Sequence, residues 1–130
     1  MKTRIVSLLA AVSISLVLAG PAFAHHSMSM YDRGHDTTLK ATITAFKWEN
    51  PHSHILFTVT DEQGNTVQWD AEGGSPHRLT DRGWSKDSLK PGEQVTIIGN
   101  RNKNGSPTMR FEQVIFPDGQ ALGTRRHHIF

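Results

Sequence analysis

The chain of 130 residues contains no cysteine and only one tyrosine. Without cysteine there is no disulfide framework, no thiolate metal site and no lipid-attachment residue behind a leader. Any metal must therefore be held by nitrogen, oxygen or thioether ligands. Long apolar runs are missing after Ala24, where nothing approaches the roughly 18 residues of a spanning helix, so no membrane span is expected in a processed chain. An excess of charge of one sign is missing too. Lys2 and Arg4 are two of 14 basic residues, and removing them brings the bases level with the 12 acids. The basic pI of the precursor thus gives no ground for a nucleic-acid partner. There is also no nucleophile elbow, no phosphate-binding glycine loop and no HExxH helix. No catalytic residue and no cofactor-binding motif is assigned, and a copper-dependent oxidoreductase is kept only as a minor alternative to a non-enzymatic role.

What is present begins with a leader. Lys2 and Arg4 form a positive n-region, Ile5 to Leu18 a short apolar stretch, and Ala22-Phe23-Ala24 the small-residue pattern of a signal-peptidase site. Cleavage after Ala24 predicts a periplasmic or secreted product that begins His25-His26. All 8 histidines lie beyond the cut. The α-amine of His25 would then stand beside its own imidazole. With a reference pKa of about 7.7 to 8.0, such an amine gives up its proton to a divalent metal at modest cost. Amine and Nδ1 close a chelate ring, and a third nitrogen from elsewhere completes a T-shaped copper site.

A processed chain of roughly 100 residues supports one domain with one core. Residues 25–36 (HHSMSMYDRGHD) are polar with little periodicity and read as an N-terminal His/Met arm. Thr37 to Trp48 alternates Leu39, Ala41, Ile43 and Ala45 against Lys40, Thr42 and Thr44, the period of a half-buried strand. Asn50-Pro51 breaks it. His52 to Thr60 is a second strand, and Asp61-Glu62-Gln63-Gly64-Asn65 a hairpin loop to a third, Thr66 to Glu72. Ser75-Pro76 reads as an N-cap followed by proline at the first helical position of a short helix to about Asp81. Pro91-Gly92 turns into a strand over Glu93 to Asn100, and Asn102-Lys103-Asn104-Gly105 into a last strand, Thr108 to Phe116. Five strands with one short helix between the third and fourth predict an all-β, OB-like five-stranded barrel over 37–122, followed by a tail over 123–130. An open β-sandwich is the competing architecture.

His25-His26-Ser27, Trp48-Glu49-Asn50-Pro51-His52, Gly83-Trp84, Leu89-Lys90-Pro91-Gly92-Glu93 and Asp118-Gly119 together resemble a family of small exported bacterial proteins of unknown function, found mainly in proteobacteria. The likeness runs through the whole chain after Ala24. It implies a periplasmic, mostly β protein and carries no catalytic residues with it.

Two constellations point to a metal. The first is the arm itself, where His25 and His26 supply imidazoles suited to Cu(II) and Met28 and Met30 supply thioethers suited to Cu(I). Against this, residues at a leader junction are often polar and small for processing alone, and the two methionines could pack on the barrel. The second is Asn50-Pro51-His52-Ser53-His54. Residues two apart in a strand share a face, so His52 and His54 are expected to project together, opposite Ile55, Phe57 and Val59. An arm of about a dozen residues reaches roughly 40 Å when extended, which brings His25 within range of either. His77 in the short helix is a further candidate ligand. His35, beside Asp32 and Asp36, and His127 and His128, in the tail, are weaker ones.

Aromatic residues suggest a second class of function. Phe46 and Trp48 fall opposite Ala41 and Ile43 if the strand stays regular, and OB barrels bind ligands across such faces. Trp48, Trp69 and Trp84 are better read as bulky caps of a small barrel. The expectation is a periplasmic protein that binds a transition metal, preferably copper, through His25, His26, His52, His54, His77, Met28 and Met30, for metal handling or sensing. Another periplasmic protein is a further expected partner. The alternative is an OB-type interaction module for a peptide, glycan or partner protein.

Overall fold

The computed structural model describes residues 28–125. The leader, His25, His26 and the segment holding His127 and His128 lie outside the described residues. Among the described residues six strands, β1 (Tyr31–Lys47), β2 (His54–Thr60), β3 (Thr66–Glu72), β4 (Gln94–Asn102), β5 (Thr108–Ile115) and β6 (Ala121–Gly123), follow in order, and a short helix, α1 (Pro76–Thr80), lies between β3 and β4. β1 pairs antiparallel with both β2 and β4, β2 with β3, and β4 with β5. A short parallel ladder, Asp70↔Thr108, Ala71↔Met109 and Glu72↔Arg110, joins β3 to β5 and closes a five-stranded barrel. β6 is an extra strand on β5.

Closure depends on bends in the long first strand. β1 presents Asp36–Thr42 to β4 and Thr42–Lys47 to β2, with its register shifting between Ile43 and Ala45. The extra residue, Thr44, bends the strand as a β-bulge does. It also reverses the alternation: Phe46 comes opposite Ile55 and packs with Trp48 against the core rather than standing on the outer face. The outer-face reading of Phe46 and Trp48 required a regular strand and fails at the bulge, whereas Trp48, Trp69 and Trp84 all pack in or against the core, in keeping with their preferred reading as bulky caps. A second irregularity, between Ile98 and Gly99 of β4, occurs where a Cβ on Gly99 would collide with the Arg110 carbonyl oxygen, so glycine alone fits.

The core is formed by the inward rows: Ala41 and Ile43, Ile55 and Phe57, Trp69 and Ala71, Val95 and Ile97, Met109, Phe111 and Val114, with Leu79 of α1 and the loop residues Trp84 and Leu89. Trp84 is 2% exposed and lies 5.4 Å from Phe111 and 5.8 Å from Phe46 between ring centres. Its indole nitrogen donates to the Gly123 carbonyl at 2.9 Å, so the buried donor is satisfied. The same bond and Arg82 Nη1→Thr124 O (3.1 Å) tie residues 123 and 124 to the barrel, although the sequence pattern assigns them to the tail. In α1 the Ser75 hydroxyl accepts from Arg78 N at 3.4 Å and Pro76 opens the first turn, as the sequence signals predict.

The arm ends earlier than expected. β1 starts at Tyr31, six residues earlier than the alternation indicates, so residues 31–36 are strand. Between Tyr31↔Asn102 and Asp36↔Asn100, β1 advances five residues while β4 advances two. The surplus backbone loops outward and erases the period-two pattern.

Candidate metal centre

The hairpin loop sets the geometry. Asp61 caps it by accepting from Gln63 N and Asn65 N at 3.0 and 2.8 Å, and Gly64 takes φ 82°. Pairing Thr60 with Thr66 makes β2 and β3 symmetric about Gln63, which puts His54 across from Glu72 and Leu56 across from Asp70. Asp70 and Glu72 thus share the outer row with His54. β2 begins at His54, so His52 is not in the strand as expected. Two backbone bonds continue the pairing past its end, Ser53 N→Gly74 O at 3.0 Å and Gly73 N→Ser53 O at 2.8 Å. They carry His52 to the same side by another route.

Each of the two histidines has one ring nitrogen engaged. His54 Nδ1 is 2.8 Å from Asp70 Oδ1. His52 Nδ1 is 3.1 Å from the Gly73 carbonyl oxygen and 3.4 Å from Glu72 Oε1. A carbonyl only accepts, so Nδ1 of His52 carries the hydrogen and Nε2 has the lone pair in the neutral ring. This is how a metal-binding histidine is ordinarily oriented, by a carboxylate or carbonyl on its second nitrogen. The side chains are 44% and 28% exposed, so both rings reach solvent.

Glu72 is also held from behind. Tyr31 Oη, from the start of β1, donates to Glu72 Oε2 at 3.1 Å. Burial, and then the Glu72 charge, push the phenol up from 10.0 to about 12, keeping it a donor at neutral pH. Arg110, the ladder partner of Glu72, donates from Nη1 to the Met28 thioether at 3.4 Å. Lys103 N donates to the Met30 carbonyl at 2.9 Å. The base of the arm is therefore fixed on the barrel at Arg110 and Lys103, with Met28 and Met30 38% and 45% exposed.

The other sequence candidates divide. His77 is exposed on α1, where its carbonyl accepts from Asp81 N, and no described contact joins its ring to His52 or His54. His35 pairs with Asp32 at 3.1 Å on the bulged part of β1. The Gly34 amide, and then His35, hold the Asp32 carboxyl below its usual range. His25 and His26 lie outside the described residues. Among the described residues, no three His, Asp or Glu side chains converge to hold a metal ion by themselves. Sequence reasoning missed Tyr31 and Arg110 and assigned no role to Asp70 and Glu72. Counting outward from the five-residue loop would have found the two acids.

The chain is thus a closed β-barrel carrying two carboxylate- or carbonyl-oriented histidines at the β2–β3 edge. Residues 13–110 match the Family of unknown function (DUF6152), and the chain belongs to that family. The matched span includes Tyr31, His52, His54, Asp70, Glu72 and Arg110. No curated protein and no solved structure matches the chain. Among the described residues no helix is long and apolar enough to cross a membrane.

Proposed function

We propose that the protein is exported, loses residues 1–24, and binds a transition metal, copper first, for metal handling or sensing in the periplasm. His25 supplies amine and imidazole, and His52 or His54 the third nitrogen. His26, Met28, Met30 and His77 are accessory ligands. The observation that carries this reading is the orientation of His52 and His54: each directs Nδ1 to a protein acceptor and leaves Nε2 for an outside partner. Anchorage of Met28 on Arg110 supports it further. Three residues span at most roughly 10 Å, so a chain starting at His25 has its amine within that reach of the anchored Met28. The three protein nitrogens would leave a copper position open for exchange, which suits handling rather than permanent storage.

Amino-terminal sequencing and Cu(II) titration of the exported protein test the proposal. The product should begin at His25. One alanine added before His25 should weaken Cu(II) binding by about two orders of magnitude, because it removes the amine from chelating position and keeps every imidazole. His52→Ala and His54→Ala should be non-additive with that extension. Unchanged affinity in the extended protein and in both histidine variants would overturn the shared site.

The alternative, an interaction module, has an observation of its own. A groove of about 600 Å³ crosses the outer face between β1, β2 and β4, lined by Lys40, Thr42, Thr58, Thr60, Gln94 and Thr96. It lacks acidic side chains and would suit a neutral or anionic ligand.

A further inference from the structure

We infer that the open edge of β1 at Thr38 and Lys40 takes an extended acidic peptide as an added strand; this rests on the interaction-module alternative and stands apart from the metal reading. Pairing of β1 with β2 ends at Thr42↔Thr58, whereas pairing with β4 runs on through Lys40↔Thr96 and Thr38↔Ile98. Successive residues of an antiparallel strand turn their backbone groups to opposite sides. Ile43 N donates to Glu93 O and Ile43 O accepts from Gly92 N, both on the β4 side. The N–H and C=O of Thr42, Lys40 and Thr38 therefore face the β2 side. Thr42 is paired there with Thr58, but the next rung, Lys40 with Thr60, is not made. Among the described residues the backbone groups that Thr38 and Lys40 turn to this side have no partner.

This edge opens on the groove of about 600 Å³, a size within the range of ligand sites, where Lys40, Thr58 and Thr60 are part of the lining. Side chains of an added strand would alternate between the two faces, as those of its neighbours do. One row would cover Leu39 and Val59, which are half-buried and packed against the core, and this calls for apolar side chains. The other row would stand beside Lys40 and Thr60 on the outer face. It calls for acids, because Lys40 is the only charged residue of the groove and has no ion pair among the described residues. Asp36, farther along the strand, is already engaged by Asn100 Nδ2 at 3.0 Å. A lysine on an open edge also turns away a second copy of this chain, whose own Lys40 would meet it. Main-chain bonds at Thr38 and Lys40 supply the affinity, and the alternation of apolar and acidic side chains supplies the selectivity.

The test is an amide-resolved NMR titration of the purified chain, with a chelator present, using a capped five-residue peptide of alternating valine and glutamate. The peptide should shift the Thr38, Lys40 and Thr60 amides and slow hydrogen exchange at Thr38 and Lys40. Lys40→Met should weaken it by about threefold, the worth of an exposed ion pair, and leave the glutamine form of the peptide unaffected. Thr38→Pro removes one donor on the open side and keeps the ladder to β4, so it should weaken binding by about tenfold. If that variant does not fold, methylation of the peptide's backbone nitrogens, which should abolish binding, is the readout. Equal binding of the methylated peptide would overturn strand addition, and equal binding of a lysine form would overturn the acidic assignment. Protection of the Thr38 and Lys40 amides that grows with protein concentration in the absence of peptide would assign the edge to a second copy instead. No peptide binding, with a galacturonic acid disaccharide shifting the same amides, would overturn this inference and leave the interaction module standing. No shift from either would overturn both.

Discussion

The outer row of the β2–β3 hairpin changes character along its length. Toward the loop, Thr60 faces Thr66 and Thr58 faces Gln68, all neutral, with Thr58 and Thr60 bordering an open groove. Toward the closing ladder the row becomes His54, Asp70 and Glu72, joined by His52, Tyr31 and Arg110. The β2–β3 register is unbroken from one end to the other. The difference lies in what each side chain demands: charged and titratable groups near the ladder constrain one another, whereas a threonine hydroxyl is satisfied by water in many orientations. One end of one hairpin is therefore pre-oriented for a ligand, and the other remains an adaptable surface.

Alkali should break this comparison most sharply, because only the charged end contains a phenol. Tyr31 is 7% exposed and its hydroxyl is pushed up to about 12, against 10.0 for the free group. Between those values the unfolded chain has released a proton that the folded chain retains. Stability is therefore full below pH 10 and falls as pH rises toward 12, by at most about 2 to 3 kcal/mol. The chain has 1 tyrosine, so near-ultraviolet tyrosinate absorbance reports this group alone. Chemical denaturation on either side of pH 10 should show the loss in the wild type, and Tyr31→Phe should lessen it by that amount. A free-tyrosine titration curve in the folded protein would refute the burial argument.

A smaller effect should separate the two ends by metal affinity. Under the metal proposal, Glu72→Gln and Asp70→Asn keep size but remove the charge that orients His52 and His54. Each should weaken Cu(II) binding by about tenfold, the lower end of what partners of metal-bound histidines contribute. Thr58→Ala and Thr60→Ala should leave it unchanged. Isothermal titration of the four variants makes the comparison. Equal losses at both ends would mean that the carboxylates act only through general stability.

How much of this was legible in the sequence depended on whether the signal was local. Thr66 to Glu72 is found at its full length because flanking turns and alternation agree, and Ser75-Pro76 marks α1 by cap chemistry. The irregular start of β1 has no period to read, and the bulge at Thr44 that turns Phe46 inward has no composition of its own. The parallel closure of β3 on β5 joins residues nearly forty positions apart, so nothing near Arg110 in sequence indicates Glu72. His52 and His54 were visible as a pair, but their orientation comes from partners 16 to 21 residues away.

The smallest expected effect concerns the residue between those histidines. Ser53 is fully buried, its backbone is bonded to Gly73 and Gly74, and its hydroxyl has no hydrogen-bond partner among the described residues. A buried hydroxyl without a partner costs roughly 1 to 3 kcal/mol, part of which burial of the surrounding atoms offsets. Ser53→Ala removes that cost and leaves both backbone bonds and both flanking imidazoles in place. The substitution should raise stability by about 1 kcal/mol in denaturant titration, with Cu(II) affinity unchanged. Destabilisation would mean that the hydroxyl has a partner in solution, such as a buried water. A change in Cu(II) affinity without a change in stability would mean that Ser53 itself orients the His52–His54 edge, and the charged end would then extend into the barrel interior.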